Sequence, residues 1–180
     1  MSHASYSLGA RLLHHLALSN TALAEASFDL DQAWGAAERR DTSQAQHVFV
    51  AGLARAGTTI LMRRLFLSGA FRSLTYRDMP FVLAPNIWRR FEAFGSRRMA
   101  AVERAHGDGL LVDFDSPEAL EEVFWRVACG GDYLLRDRLV PMTAASETLE
   151  KFRRYVAAVL QAQPDKRYLS KNNNNILRLP

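Results

Sequence analysis

Residues 47–61, HVFVAGLARAGTTIL, decide how the rest of this chain is interpreted. Residues 47–51 form a short run rich in apolar, β-branched and aromatic side chains, which is typical of a strand buried on both faces. Residues 52–57 are bounded by two glycines, and a helix is predicted over residues 58–67. Four large side chains are expected on its apolar stripe: Ile60, Leu61, Leu65 and Phe66. The stretch therefore predicts a strand, a glycine-bounded loop and a helix.

The loop at residues 52–59 has the glycine spacing of a Walker A loop, with Thr58 where that loop carries lysine. Glycines let successive backbone N–H groups point inward, and the helix that follows contributes the positive end of its dipole. The loop is therefore expected to cradle an anion. In ATP-using enzymes the lysine reaches the β- and γ-phosphates, and its absence argues against phosphoryl transfer. Arg55 keeps a cation within the loop.

Two segments resemble a known family. Residues 48–59, VFVAGLARAGTT, look like the 5′-phosphosulfate loop of sulfotransferases that use 3′-phosphoadenylyl sulfate (PAPS), whose usual form is a strand followed by Gly-x-Pro-Arg-Ser-Gly-Thr-Thr. Ala54 and Ala56 stand where that family has proline and serine. Residues 168–179, YLSKNNNNILRL, are similar to its second landmark, a strand ending in lysine and then a helix with an Arg-Leu pair. Asn173 stands at the proline position of that landmark.

The resemblance implies a site for PAPS and its product, adenosine 3′,5′-bisphosphate, without a metal. Sulfuryl transfer needs cations that hold the charge on the sulfuryl oxygens and on the leaving phosphate. Arg55 and Lys171 are the candidates for this role. The donor-binding residues implied by the resemblance are Arg55, Ala56, Gly57, Thr58 and Thr59.

The reaction also needs a base that takes the proton of the acceptor. The resemblance implies an acidic residue or a histidine near the loop, and Asp78 occupies a position that matches the carboxylate of the tyrosine and glycan enzymes. His106 is the alternative, because histidine titrates near neutral pH and Asp108 in the same turn can orient its ring. Asp78, His106 and Lys171 are therefore the candidate catalytic residues.

A second strand is predicted over residues 167–170, with Lys171 at its carboxyl end, and an amphipathic helix is predicted between residues 143 and 163. Ligands bind at the carboxyl ends of strands in open α/β sheets, so the loop and Lys171 are expected to face one crevice. The predicted fold is α/β, with a P-loop-type parallel sheet flanked by helices.

A further helix is predicted from Pro117 to about Cys129, with Ser116 as its N-cap. Glu121 and Glu122 on this helix are interpreted as solvent-facing charges.

The predicted organisation is a helical N-terminal extension at residues 1–46 and a sulfotransferase-like domain at residues 47–180. The family's third landmark, an arginine and a serine that grip the 3′-phosphate, would come after Pro180. The sequence is therefore expected to be truncated, and the fold incomplete at its C-terminus.

Composition narrows the classes of function further. The chain is 48% hydrophobic and carries a net charge of +4, with 20 arginines and three lysines scattered among acids, which disfavours nucleic acid as a partner. The single cysteine, Cys129, and the absence of metal-binding Cys/His spacings favour a reducing compartment. No run of 18 apolar residues is present, so no membrane span is expected, and the predicted location is cytoplasmic.

The function favoured by these patterns is transfer of a sulfuryl group from PAPS to a hydroxyl or amine of a small-molecule or carbohydrate acceptor. Arg77, Arg89 and Arg90 are interpreted as a solvated face, with attraction of an anionic acceptor as the alternative. Two other functions stay open: a P-loop nucleoside or nucleotide kinase with an unusual loop, and a nucleotide-binding or interaction module without turnover.

Overall fold

The central feature of the computed structural model is a three-stranded parallel sheet. It consists of β1 (Val48–Val50), β2 (Phe71–Arg72) and β5 (Arg167–Lys171), in the order β1-β5-β2. A separate antiparallel pair joins β3 (Val102–Glu103) and β4 (Leu111–Val112). The structure describes residues 20–38, 40–42, 44–93, 102–103, 111–112, 115–130, 133–138 and 140–178.

Five α-helices accompany the strands in the described part of the chain. They are α1 (Thr21–Trp34), α2 (Thr58–Leu67), α3 (Pro85–Ala93), α4 (Glu122–Cys129) and α5 (Ser146–Leu160). Short 3-10 turns lie at Ala36–Glu38, Tyr76–Asp78 and Asn173–Leu177. The predictions of a strand near residue 48, a helix over residues 58–67, a helix within 143–163 and a strand from residue 167 are confirmed.

Strand β5 buries side chains on both of its faces, because side chains alternate along a strand. The prediction that the strand near residue 48 is buried on both faces is wrong, since Phe49 of β1 is 45% exposed. Val50, Leu169 and Phe71 point to one face, where they pack with Met62 of α2. Tyr168 points to the other face and joins a larger cluster with Phe124 of α4 and Tyr155 of α5. The mixed α/β class with a parallel sheet flanked by helices is therefore confirmed, whereas the P-loop type stays a prediction.

Helix α1 is part of the larger cluster through Ala24 and Phe28. Its Asp31 is fully buried and accepts hydrogen bonds from the backbone N–H groups of Asn86 and Ile87. A carboxylate is favourable at a helix N-terminus, where the first N–H groups have no partner within the helix. Asp31 therefore ties α1 to the start of α3. The division of the chain at residue 46 stays a prediction, and residues 1–19 lie outside the described ranges.

The apolar stripe predicted on α2 is wrong in part. Met62 is its buried residue, whereas Ile60 and Leu61 are exposed and Leu65 and Phe66 are half-buried. The helix has one short sheet to cover, so only the side chain that points straight at β1, β5 and β2 is fully enclosed.

The helix predicted from Pro117 begins five positions later, at Glu122. Pro117 instead forms a β-bridge with Thr75, and the N–H of Glu118 donates to the carbonyl of Leu74. The backbone groups that a helical turn would use are therefore bonded to the segment that follows β2. Since no helix begins at Pro117, Ser116 is not an N-cap. Within the described part of the chain, no helix is long and apolar enough to cross a membrane.

Candidate functional site

Left-handed residues shape the loop between β1 and α2. Arg55 has a φ of 66°, and Gly57, the N-cap of α2, has a φ of 78°. Gly57 has no side chain to cap the helix, so the first N–H groups of α2 face the loop without a side-chain acceptor. Left-handed residues alternating with right-handed ones turn N–H groups toward a common centre. The loop therefore has the donors and the dipole that an anion requires.

Lys171 lies beside the base of this loop. Val50 and Lys171 are partners in the parallel register, and the N–H of Asn172 donates to the carbonyl of Val50 at 3.2 Å. Strand alternation puts Lys171 on the face of Leu169 and Val50, which α2 covers. Lys171 is only 8% exposed, an unusual burial for lysine. The structure thus brings the loop and Lys171 to the same edge of the sheet, as the sequence predicts.

Glu122 fixes the segment that follows Lys171. Its carboxylate accepts hydrogen bonds from two asparagines, an arginine and a tyrosine: Asn172, Asn174, Arg178 and Tyr133. Arg178 also lies over the rings of Trp125 and Tyr133. We call these residues, with Glu122 at their centre, the Glu122 network. It joins α4 to the 3-10 turn Asn173–Leu177, and so determines how the chain leaves β5.

Glu121, the neighbour of Glu122, is also buried and contacts the face of β5 that carries Tyr168. It is 2% exposed and accepts hydrogen bonds from Trp125 Nε1 at 2.8 Å and from the Tyr168 hydroxyl at 2.9 Å. The interpretation of Glu121 and Glu122 as solvent-facing charges is therefore wrong. A short helix packed against the end of the sheet points both residues inward, where Tyr168 and Arg178 supply their donors.

The two neighbouring carboxyl groups have pKa values displaced in opposite directions. Burial raises the pKa of Glu121 above its ordinary value, against the opposing effect of its hydrogen bonds. Burial also acts to raise the pKa of Glu122, but the hydrogen bonds from Tyr133 and Arg178 outweigh it and lower that pKa. Burial and the Glu122 carboxylate raise the pKa of Tyr133, so Tyr133 stays a hydrogen-bond donor. The lowered pKa favours the carboxylate form of Glu122.

Both carboxylate oxygens of Asp78 have partners close in sequence. One carboxylate oxygen accepts from Arg72 at 2.5 Å, and the other accepts from the N–H and the hydroxyl of Thr75. These contacts close a capping box around the 3-10 turn Tyr76–Asp78. Both oxygens of Asp78 are thus used for local structure, which counts against Asp78 as the base.

His106, the other candidate base, and Asp108 lie outside the described residues. Ala56, Thr58 and Thr59 lie in the loop and the first turn of α2, as the sequence predicts. Among the described residues, no group of three or more His, Cys, Asp and Glu side chains is placed to hold a metal ion. The sequence did not indicate that Glu122, Tyr133 and Asn172 contact one another beside Lys171. The available signal was Arg178, because an arginine among apolar residues needs a carboxylate partner; that partner lies 56 residues earlier in the chain.

Comparison with known proteins identifies no relative. No protein-family model matches the chain, and no curated protein or solved structure is significantly similar to it.

Proposed function

We propose that this chain binds PAPS at the loop of residues 52–59 and transfers its sulfuryl group to a hydroxyl or amine of an acceptor. One observation carries the proposal: Lys171 and the loop leave adjacent parallel strands at the same edge, with Val50 and Lys171 in register. The loop offers N–H groups and the start of α2 for the 5′-phosphate, and Arg55 and Lys171 add positive charge.

In the proposed reaction an acceptor oxygen or nitrogen attacks the sulfur of PAPS. The bond between sulfur and the bridging phosphate oxygen breaks, and adenosine 3′,5′-bisphosphate leaves with that electron pair. Negative charge accumulates on the bridging oxygen, so a cation beside it lowers the barrier. Lys171 and Arg55 are proposed for this role. The acceptor proton passes to a base, and the contacts of Asp78 with Arg72 and Thr75 favour the other candidate, His106.

Calorimetry with adenosine 3′,5′-bisphosphate tests the proposal. Arg55→Ala should weaken binding by about tenfold or more, because one charge-assisted contact of roughly 1.5–3 kcal/mol is lost. Arg64→Ala is the matched control, since Arg64 is exposed in the last turn of α2, away from the loop. It should leave the affinity within about twofold.

Two results would contradict the proposal. One is equal affinity in the native chain and in Arg55→Ala. The other is tighter binding of ATP with Mg²⁺ than of adenosine 3′,5′-bisphosphate in a parallel titration, which would favour kinase-like chemistry. Transfer of radioactive sulfate from PAPS to a panel of hydroxyl and amine acceptors then tests turnover, and His106→Ala should abolish it.

A further inference from the structure

The side chain of His47, the residue before β1, is hydrogen-bonded to the central strand of the sheet. The backbone N–H of Tyr168 in β5 donates to Nδ1 of His47 at 3.1 Å. The two rings also meet edge to face, with centroids 6.2 Å apart and 90° between their planes. Tyr168 is fully buried, so water cannot replace this acceptor unless the contact opens.

This hydrogen bond extends the pairing of β1 with β5 by one step. The N–H groups of alternate residues along a strand point to the same neighbouring strand, and the N–H of Asn172 donates to the carbonyl of Val50 in β1. The N–H of Tyr168, an even number of positions earlier, therefore faces β1 as well. Because β1 begins at Val48, the imidazole of His47 supplies an acceptor where the strand has no further carbonyl to offer.

The contact requires a neutral imidazole. A backbone N–H can only donate, so Nδ1 carries no proton, and the proton of the neutral ring is on Nε2. In the imidazolium both ring nitrogens carry protons, and two N–H groups would then face each other. Protonation of His47 and this hydrogen bond therefore exclude one another.

The surroundings of the ring favour its neutral form. Burial lowers the pKa of His47 below its ordinary 6.5, and a hydrogen bond with the backbone of Thr42 opposes this only in part. A released side chain regains the ordinary pKa. The closed contact is therefore fully stable above about pH 6.5, and its stability falls as the pH drops from there toward the lower pKa of the closed state.

Charged side chains beside His47 do not oppose this effect. The cleft that His47 lines also has three arginines and two carboxylates among its lining residues: Arg40, Arg153, Arg154, Asp41 and Glu150. Glu150 pairs with Arg153 at 3.2 Å. A protonated ring would therefore meet more cations than anions.

The strands supply no negative charge at the ring either. The side chains of β1, Val48–Val50, do not titrate. In β5, Tyr168 is uncharged because burial raises its pKa well above the ordinary 10, and its hydroxyl, far from its N–H, donates to Glu121. Arg167 lies over the ring of Phe71 in β2.

We propose that His47 is a pH-sensitive latch: it holds residues 44–47 to β5 at neutral pH and releases them when its ring is protonated. Release leaves β1 joined to β5 through the pairing of Val48–Val50. The latch lies at the start of β1, whereas the loop and Lys171 lie beyond the other ends of the two strands. It does not depend on whether the loop binds PAPS.

Hydrogen exchange of the Tyr168 amide, followed by NMR on the full chain, measures how often the latch opens. After correction for the intrinsic pH dependence of exchange, the opening constant should rise by about three- to tenfold from about pH 7.5 to about pH 5.5. The upper figure is the limit set by the ordinary pKa of 6.5 in the released ring. Nitrogen chemical shifts of the His47 ring should place the proton on Nε2 at neutral pH.

Two variants separate titration of the ring from loss of the acceptor. His47→Asn keeps an acceptor, since Oδ1 of asparagine can lie where Nδ1 of histidine does, but it does not titrate. Its opening constant should change by less than about 1.5-fold over the same pH range. His47→Leu has no acceptor, so its latch should open at least about tenfold more often at neutral pH, with no further rise in acid.

Four results would overturn the latch. They are an opening constant at Tyr168 that is the same at both pH values, a rise in His47→Asn equal to that in the native chain, a neutral ring with its proton on Nδ1, and equal opening constants for Tyr168 and for Val159. Val159 is buried in α5, so its amide reports unfolding of the whole chain, and the latch should open more often than that. The native chain and His47→Asn suffice for all four measurements, so the test stands even if His47→Leu does not fold.

Discussion

Replacing Glu122 by alanine should destabilise the protein strongly, because it leaves Arg178 buried and without its carboxylate. The ion pair measures 2.8 Å, and its side chains are 9% exposed for Arg178 and 18% exposed for Glu122. Breaking a buried ion pair by removing one partner costs about 3–5 kcal/mol. The partial exposure of Glu122 favours the lower end, so we expect a loss of about 3 kcal/mol and, for a chain of this size, a fall in Tm of roughly 6–12 °C.

Urea denaturation followed by circular dichroism measures this loss. Glu150→Ala is the control, since Glu150 pairs with Arg153 at 3.2 Å on the exposed side of α5 and should cost less than about 1 kcal/mol. In the background of Arg178→Met, Glu122→Ala should lower the free energy of unfolding by at least about 1 kcal/mol less than in the native chain, because no arginine is left buried without a partner. Equal costs for Glu122→Ala and Glu150→Ala, or strict additivity with Arg178→Met, would refute the reasoning.

Three further predictions concern the sheet and its loop. Because folding raises the pKa of Glu121 above its ordinary 4.5, the free energy of unfolding should fall as the pH rises from about 4.5 through the folded-state pKa. Glu121→Gln should remove this pH dependence, which urea midpoints measured across the pH range will show. Asp78→Asn should lower the free energy of unfolding by about 2–3 kcal/mol in the same assay, because the contacts with Arg72 and Thr75 are lost. The affinity for adenosine 3′,5′-bisphosphate should stay within about twofold. A larger loss of affinity would show that Asp78 belongs to the binding site. In Gly57→Ala the new Cβ meets no atom within 4 Å, so the loss of stability should come from backbone strain at φ 78° and amount to about 1–2 kcal/mol. A loss of stability below about 0.5 kcal/mol would contradict this.

Local signals in the sequence predicted the elements that surround the loop. Helix α2 begins after Gly57 and ends before Ser68-Gly69, as those residues indicate, and β5 begins at Arg167 as predicted. The meeting of the loop and Lys171 followed from the rule that parallel strands carry ligands at their carboxyl ends. These predictions succeeded because each depends on neighbouring residues or on a general property of α/β sheets.

Two of the wrong predictions, those for the two glutamates and for Pro117, depend on contacts between distant residues. Glu122 is joined to Arg178, 56 positions later, and Glu121 to Tyr168, 47 positions later. A pair of adjacent glutamates near the start of a helix looks the same in sequence whether solvent or a buried arginine faces it. Pro117 similarly has the signature of a helix start, and only its bridge to Thr75 shows that the extended conformation is preferred.

The position of β5 in the middle of the sheet has a consequence for the order of folding. Both β1 and β2 pair with β5 in the described structure, and a hydrogen bond from Tyr168 to His47 joins positions 121 residues apart. Contacts of such long range form slowly, because a large loop must close before they are made. During synthesis on the ribosome, β1 and β2 emerge long before the strand that joins them. The parallel sheet therefore assembles only after residues 167–171 have left the exit tunnel, and until then the apolar side chains of β1 depend on helices alone for cover.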